Sequence, residues 1–328
     1  MNKKKLIILV GSILMLLGII AGCNKNHVSQ EKITIYTNAD EEPVEVIKNV
    51  LDENGYKGKY ILQSLGTSEL GGKLLAEGKN IEADLVTMST FYLNSAQKKE
   101  KMFKKLNLSI NSLVKVPEYT APFTVQEGTI FYNTDLLKEM NLMVPKSLKD
   151  LASPKYKGML SIPDIKHSST AWLLFQALID NYGKDEAKTI LQGIYKNVGD
   201  HLESSGSGPL KKVRLGEVAI GFGLRHQAVK DKKDGLPIDF VEPLEGTYTL
   251  TESLAVIDKG EKTNPEAEKM LSLIMEKGRK DLLKIYPSAL YKGETVNSEK
   301  VAKNSKIFPQ ELTAELLEQH QKLVDQGE

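Results

Sequence analysis

The 328-residue chain has one cysteine, one tryptophan and only 6% aromatic residues. A lone cysteine excludes an intramolecular disulfide and a cysteine-rich metal site, so the folded part must stand on its apolar core. An excess of one charge is missing as well: 44 Lys and Arg face 43 Asp and Glu, for a formal net charge of +1. The basic surplus that would neutralise a phosphate backbone is absent, and nucleic acid is not an expected partner. Five histidines, His27, His167, His201, His226 and His320, show no metal-ligand spacing, and neither a G-x-S-x-G elbow nor a phosphate loop occurs. With no nucleophile beside a base and no metal cluster, the chain reads as a non-enzyme that needs no cofactor.

Long apolar stretches are also scarce, and the one present lies at the start. Lys3, Lys4 and Lys5 precede an uncharged run over residues 6–22 that is broken by Gly11, Gly18 and Gly22. A permanent span takes roughly 20 apolar residues, whereas a basic start followed by a shorter apolar run is an export signal. The run ends at Ile20-Ala21-Gly22-Cys23, which resembles the lipobox of bacterial lipoproteins. That resemblance implies cleavage before Cys23, diacylation of its thiol and attachment through lipid to the outer face of the cell membrane. Residues 1–22 are then a signal peptide and residues 23–30 a polar tether.

Beyond the tether, short β-rich runs alternate with helical stripes. Ile33, Ile35 and Tyr36 form the first run, and Val46, Ile47, Val50 and Leu51 a stripe at helical spacing. The pattern recurs with Tyr60-Ile61-Leu62, then Leu70, Leu74 and Leu75, then Ala83 to Met88. Later strands are expected at 128–132, 158–162, 218–222, 238–241 and 250–257. Helices are expected at 135–140, 170–182, 185–195, 224–230, 265–277 and 309–326. Such alternation predicts an α/β fold with a mostly parallel sheet covered on both faces.

Several segments together resemble the solute-binding proteins of ABC importers. They are Ile33-Thr34-Ile35-Tyr36-Thr37, the stretch from Gly72 to Asn80 followed by Ala83-Asp84-Leu85-Val86, Tyr132-Asn133-Thr134-Asp135-Leu136-Leu137, Gly216-Glu217-Val218-Ala219-Ile220-Gly221, and Glu242-Pro243-Leu244-Glu245-Gly246-Thr247. The resemblance implies the type II periplasmic-binding fold: two α/β lobes joined by two crossing strands, with a ligand between them. Lobe one would hold residues 31–118 and 248–328, its last helix packing on lobe two. Lobe two would hold 123–243, with hinges near 119–122 and 243–247. The implied partners are a small solute, an ABC permease and its ATPase, with the protein itself a monomer.

In open α/β sheets, ligands bind beyond the carboxyl ends of the strands. Four such loops are rich in hydroxyls or glycine: Ser64 to Ser68, Met88-Ser89-Thr90, His167 to Thr170, and Ser204 to Gly208. Hydroxyls and free N–H groups at helix starts receive anions, helped by the helix dipole, although the same residues cap helices in any protein. The candidates are Ser64, Thr67, Ser68, Ser89, Thr90, Ser168, Ser169, Thr170, Ser205, Gly206 and Ser207, with Tyr36 in the first strand and Asn38 after it. Arg225 and His226 follow a buried strand, where Arg225 would pair with an acidic group. Among subfamilies the chain is most similar to the 2-aminoethylphosphonate binders, although Gly66-Thr67-Ser68-Glu69 stands where those run serine, threonine, glycine. The zwitterion's ammonium would find Asp40, Glu41, Glu42, Asp164 or Glu245 as acceptors. A ferric-ion, polyamine or thiamine binder of the same fold, or a surface adhesin that keeps the two lobes, is the alternative. No two tyrosines are adjacent, as a ferric binder's pair would be.

Overall fold

The structure, a computed structural model, describes residues 32–108, 111–113, 116–296 and 301–324. The signal peptide, the tether, Cys23 and His27 lie outside the described residues.

The first β-rich runs become the parallel strands β1 (Ile33–Thr37), β2 (Tyr60–Ser64) and β3 (Leu85–Ser89), ordered β2-β1-β3. Between them run α1 (Glu41–Leu51) and α2 (Thr67–Glu77). The α1 stripe of Val46, Ile47, Val50 and Leu51 joins Ile33, Ile35, Phe123, Leu254 and Leu271 in one apolar cluster. Leu271 belongs to the long helix α9 (Pro265–Ile285), which packs along α1. A further helix, α3 (Thr90–Glu100), follows β3 and was not expected: its buried residues, Phe91, Tyr92, Leu93 and Ala96, all lie within its first seven positions.

The chain then enters β4 (Ala121–Asn133), a 13-residue strand. From Ala121 to Glu127 it pairs antiparallel with β9 (Thr247–Val256), and from Gly128 to Tyr132 with β7 (Ile220–Leu224). β4 and β9 are thus the two strands that pass between the lobes, and β9 in turn pairs with β3. In the second lobe, β5 (Leu160–Pro163) pairs in parallel with β7 and with the short β6 (Leu202–Glu203), while β8 (Ile238–Val241) flanks β4. The sheet is therefore mixed: among the described strands every antiparallel pair involves β4 or β9, while β9 also runs parallel to the short β10 (Ser305–Lys306).

Helices α4 (Thr134–Glu139), α5 (Thr170–Tyr182), α6 (Lys184–Val198), α7 (Gly208–Leu215) and α8 (Arg225–Lys233) complete this lobe. α5 is buried almost all round, which fits its run of Trp172, Leu173, Leu174 and Phe175. After β10 (Ser305–Lys306), the last helix, α10 (Ala314–Gln321), touches both lobes. Its His320 Nδ1 accepts from Trp172 Nε1 at 2.8 Å, and the Ala314 amide donates to Ser95 Oγ of α3 at 3.1 Å. No helix among the described residues is long and apolar enough to cross a membrane.

Candidate functional site

The carboxyl ends of β1, β2, β5 and β6 open onto one cavity of about 380 Å³. The β1–α1 turn contributes Asn38, Ala39 and Asp40, and the β2–α2 turn Ser64 to Glu69. The loop into α5 contributes His167, Ser168, Ser169 and Thr170, and the loop into α7 Ser204, Ser205 and Gly206. Gln126 of β4 and Glu252 of β9 form the floor. Residues of both lobes and both crossing strands therefore meet around one space. A larger groove, about 800 Å³, lies between α1, α8 and the end of α9. Its Glu45, Glu53, Lys230 and Lys277 are exposed, and of the two spaces the smaller is the one on which the strand ends converge.

The rim and the floor differ in chemistry. At the rim, helices α2, α5 and α7 present their N-terminal turns, whose first N–H groups have no partner within the helix. Local hydroxyls prepare these turns: the Gly208 amide donates to Ser205 Oγ at 3.1 Å and the Thr170 amide to Ser168 Oγ at 3.3 Å. At the floor, Glu252 is 4% exposed. It accepts from Asn38 Nδ2 at 3.2 Å, Gln126 Nε2 at 3.3 Å and Thr124 Oγ1 at 3.4 Å, all neutral donors. Burial raises its carboxyl above the ordinary range, against those same bonds. Burial, together with the charges of Glu252 and Glu42, pushes Asp40 up to about 7, partly offset by the Ser207 hydroxyl. Asn38 Oδ1 and Gln126 Oε1 are buried acceptors without a hydrogen-bond partner. Among the described residues the ionisable side chains lining the cavity are Asp40, Glu69, Glu252 and His167, with no lysine or arginine. An isolated anion would meet unopposed negative charge here, whereas a cation or zwitterion would not.

Of the residues proposed from sequence, Asn38, Asp40, Ser64, Thr67, Ser68, Ser168, Ser169, Thr170, Ser205 and Gly206 line this cavity together. Ser89 sits one bond behind it, donating to Ser169 Oγ at 3.2 Å, and Ser207 stands beside Asp40. The others are engaged elsewhere. Tyr36 donates to Glu82 at 2.9 Å, and Thr90 Oγ1 donates to the Thr251 carbonyl at 2.8 Å, tying α3 to β9. Asp164 accepts from the Lys166 amide at 3.0 Å. Arg225 is buried against Glu242 at 2.9 Å and Glu127 at 3.5 Å, a salt bridge of the crossing region. His226 packs on the Tyr286 ring at 4.2 Å, and burial lowers its imidazole to about 3. Glu245 accepts from the Leu148 and Lys149 amides and from Tyr182, closing a turn. Sequence reasoning missed Gln126 and Glu252. The available signal was an acid amid an otherwise neutral strand, TYTLTESLAV. Among the described residues no three His, Cys, Asp or Glu side chains come together as metal ligands.

Comparison with known proteins places this geometry in context. The family model described as bacterial extracellular solute-binding protein matches residues 81–307. An uncharacterized protein of Haemophilus influenzae is 34% identical over 116 residues, 35% of this chain and only 33% of that protein. The spermidine/putrescine-binding periplasmic protein of Escherichia coli is 25% identical over 293 residues, 81% of this chain and 80% of that one. Among solved structures, iron-bound HitA from Pseudomonas aeruginosa superposes with a TM-score of 0.72 at 20% identity, covering 90% of this chain and 99% of the other. The periplasmic binding protein AfuA from Actinobacillus pleuropneumoniae, with fructose-6-phosphate bound, superposes with a TM-score of 0.69 at 19% identity, covering 90% and 97%. At those identities the likeness shows the fold: a type II periplasmic-binding architecture.

Proposed function

This chain belongs to the family of bacterial extracellular solute-binding proteins, and from that premise we propose that it captures a small zwitterion between its lobes for an ABC permease and ATPase. The carrying observation is the split character of one cavity, acidic and rich in acceptors at the floor, rich in hydroxyls and helix N-termini at the rim. An ammonium would sit against Asp40 and Glu252 with Asn38 Oδ1 and Gln126 Oε1 as further acceptors. An oxyanion would take hydroxyls and amides at the starts of α2, α5 and α7. Because the rim groups belong to different lobes, the bound solute bridges them and shifts the population toward closure. The lobes on this reading are residues 31–118 with 248–328, and 123–243, and Cys23 carries the lipid that holds the protein outside the cell membrane.

A polyamine is the second reading, favoured by the acidic floor and by the relative named for spermidine and putrescine. A thermal-shift series on the purified protein with 2-aminoethylphosphonate, putrescine, spermidine, phosphate, thiamine and ferric citrate separates the readings. A solute at 100 times its dissociation constant adds about 2.7 kcal/mol of stability. Stabilisation by 2-aminoethylphosphonate and not by phosphate is the expected result. Stabilisation by putrescine or spermidine alone selects the polyamine, and a response only to ferric citrate or thiamine removes the zwitterion reading.

A further inference from the structure

Two carboxyl groups, Asp40 of the β1–α1 turn and Glu252 in the middle of β9, line one cavity in which, among the described residues, no lysine or arginine takes part. We infer that the empty cavity keeps one proton shared between Asp40 and Glu252, and that an arriving ammonium group displaces it. The displacement half rests on the solute reading above.

The geometry leaves the cluster uncompensated. Glu252 is 4% exposed, and its hydrogen-bond partners are amides and hydroxyls. Glu42 Oε1 accepts from Gln227 Nε2 at 3.2 Å, while its Oε2 is buried without a partner. The surrounding elements supply little positive charge. From α1 comes Glu41 and from α2 Glu69, both acids, and from the loop into α5 comes His167, exposed at the rim. From α7, Lys211 is exposed and 3.9 Å from Glu41. From α8, His226 is kept neutral by burial. After α9, the buried Tyr286 feels the charges of Asp40, Glu252 and Glu42, which with burial hold its phenol protonated. On β4 the neighbour is Gln126, 5% exposed, whose Oε1 is an acceptor without a donor. Two acids lining one poorly solvated cavity without a cationic side chain between them do not both ionise freely, so one group retains a proton. The raised values of Asp40 and Glu252 agree with this arrangement.

An ammonium reverses the balance, since it brings a positive charge and three donors to acceptors that lack them. The step is a proton exchange: R–NH3⁺ enters, the shared carboxylic acid becomes carboxylate, and the proton leaves to solvent. Affinity then rises with pH, by up to about tenfold per unit, until the empty site deprotonates by itself.

Infrared difference spectroscopy of the ligand-free protein near pH 6, a value between the ordinary carboxylate range and the raised one, reads the proton directly. A protonated-carboxyl absorption is expected in the wild type and should be lost in Asp40→Asn or Glu252→Gln. Absence of that absorption in the wild type, or its survival in both variants, overturns the inference. Calorimetry with 2-aminoethylphosphonate and with putrescine, in buffers of different ionisation enthalpy, then counts protons. Release of up to one proton per bound probe is expected near that pH, and binding without release overturns the displacement. If neither probe binds, the zwitterion reading fails, while the infrared absorption still decides the shared proton.

Discussion

Gly206 shows how closely the rim is fitted. A Cβ at this position would run into Thr170 Oγ1, with Thr170 Cβ at 3.0 Å and Leu224 Cδ1 at 3.4 Å. The loops before α5 and α7 approach one another only because that side chain is missing. Gly206→Ala is therefore expected to cost about 1–3 kcal/mol and to weaken solute binding. Gly72→Ala is the control, since nothing lies within 4 Å of a Cβ there; it should change stability by no more than about 1 kcal/mol, toward greater stability. Thermal unfolding and calorimetry on both variants check this, and an unperturbed Gly206→Ala would mean that the loops yield freely. The hydroxyls of these loops were legible because Ser and Thr cluster between strand and helix signals. Glu252 and Gln126 were not, since a polar residue inside a strand does not announce which face it takes. Arg225 was ambiguous for a related reason: a guanidinium suits a solute or a buried carboxylate equally, and only the fold put Glu127 and Glu242 beside it.

Among the elements, α5 and β8 keep the bounds their sequences suggested, because strong apolar patterning coincides with clear ends such as Gly183 at φ +75° after α5. α7 is short, with Leu210 and Val213 as its large buried apolar residues, too few to make a stripe. α10 is shorter than expected and acts as a clasp across both lobes. Gln321 Nε2 donates to the Ile165 carbonyl at 3.1 Å, and His320 receives the Trp172 indole. Burial, aided by the charge of Lys184, lowers His320 to about 4. The unfolded chain takes up this proton near the ordinary histidine value of about 6.5. The stabilising effect of the neutral imidazole is thus complete above that pH and is lost as pH falls toward about 4. His320→Gln, which keeps an acceptor for Trp172, is expected to flatten the pH dependence of stability in that window. Urea unfolding on either side of the window tests it, and an unchanged slope would assign the acid sensitivity to another group.

For the molecule as a whole, several direct contacts join the lobes. Ser68 Oγ donates to the Lys166 carbonyl, Ser89 to Ser169, and Gln227 to Glu42. Phe91 meets Trp172 edge-on at 4.9 Å between centroids. These are individually weak, about 0.5–1.5 kcal/mol for a neutral hydrogen bond, and on the proposed capture reading they trade against an open form. A solute held at both rim and floor adds contacts found only when the lobes are together. Small-angle scattering is expected to show a smaller radius of gyration at saturating solute than without it, and Gln227→Ala should shift the ligand-free protein toward the larger value. Identical scattering with and without saturating solute would eliminate closure as the capture step.

The α/β alternation, the hydroxyl-rich turns and the place of those turns after strands were determined by the sequence alone, because periodicity and turn chemistry act over a few neighbouring residues. The path of β4 from β9 to β7, the acidic floor and the burial of Arg225 were decided only in three dimensions. Asn38 and Glu252 share a hydrogen bond across 214 positions of chain. No local pattern encodes which distant strand will cross beneath a given loop, and the charge of the cavity depends on that crossing.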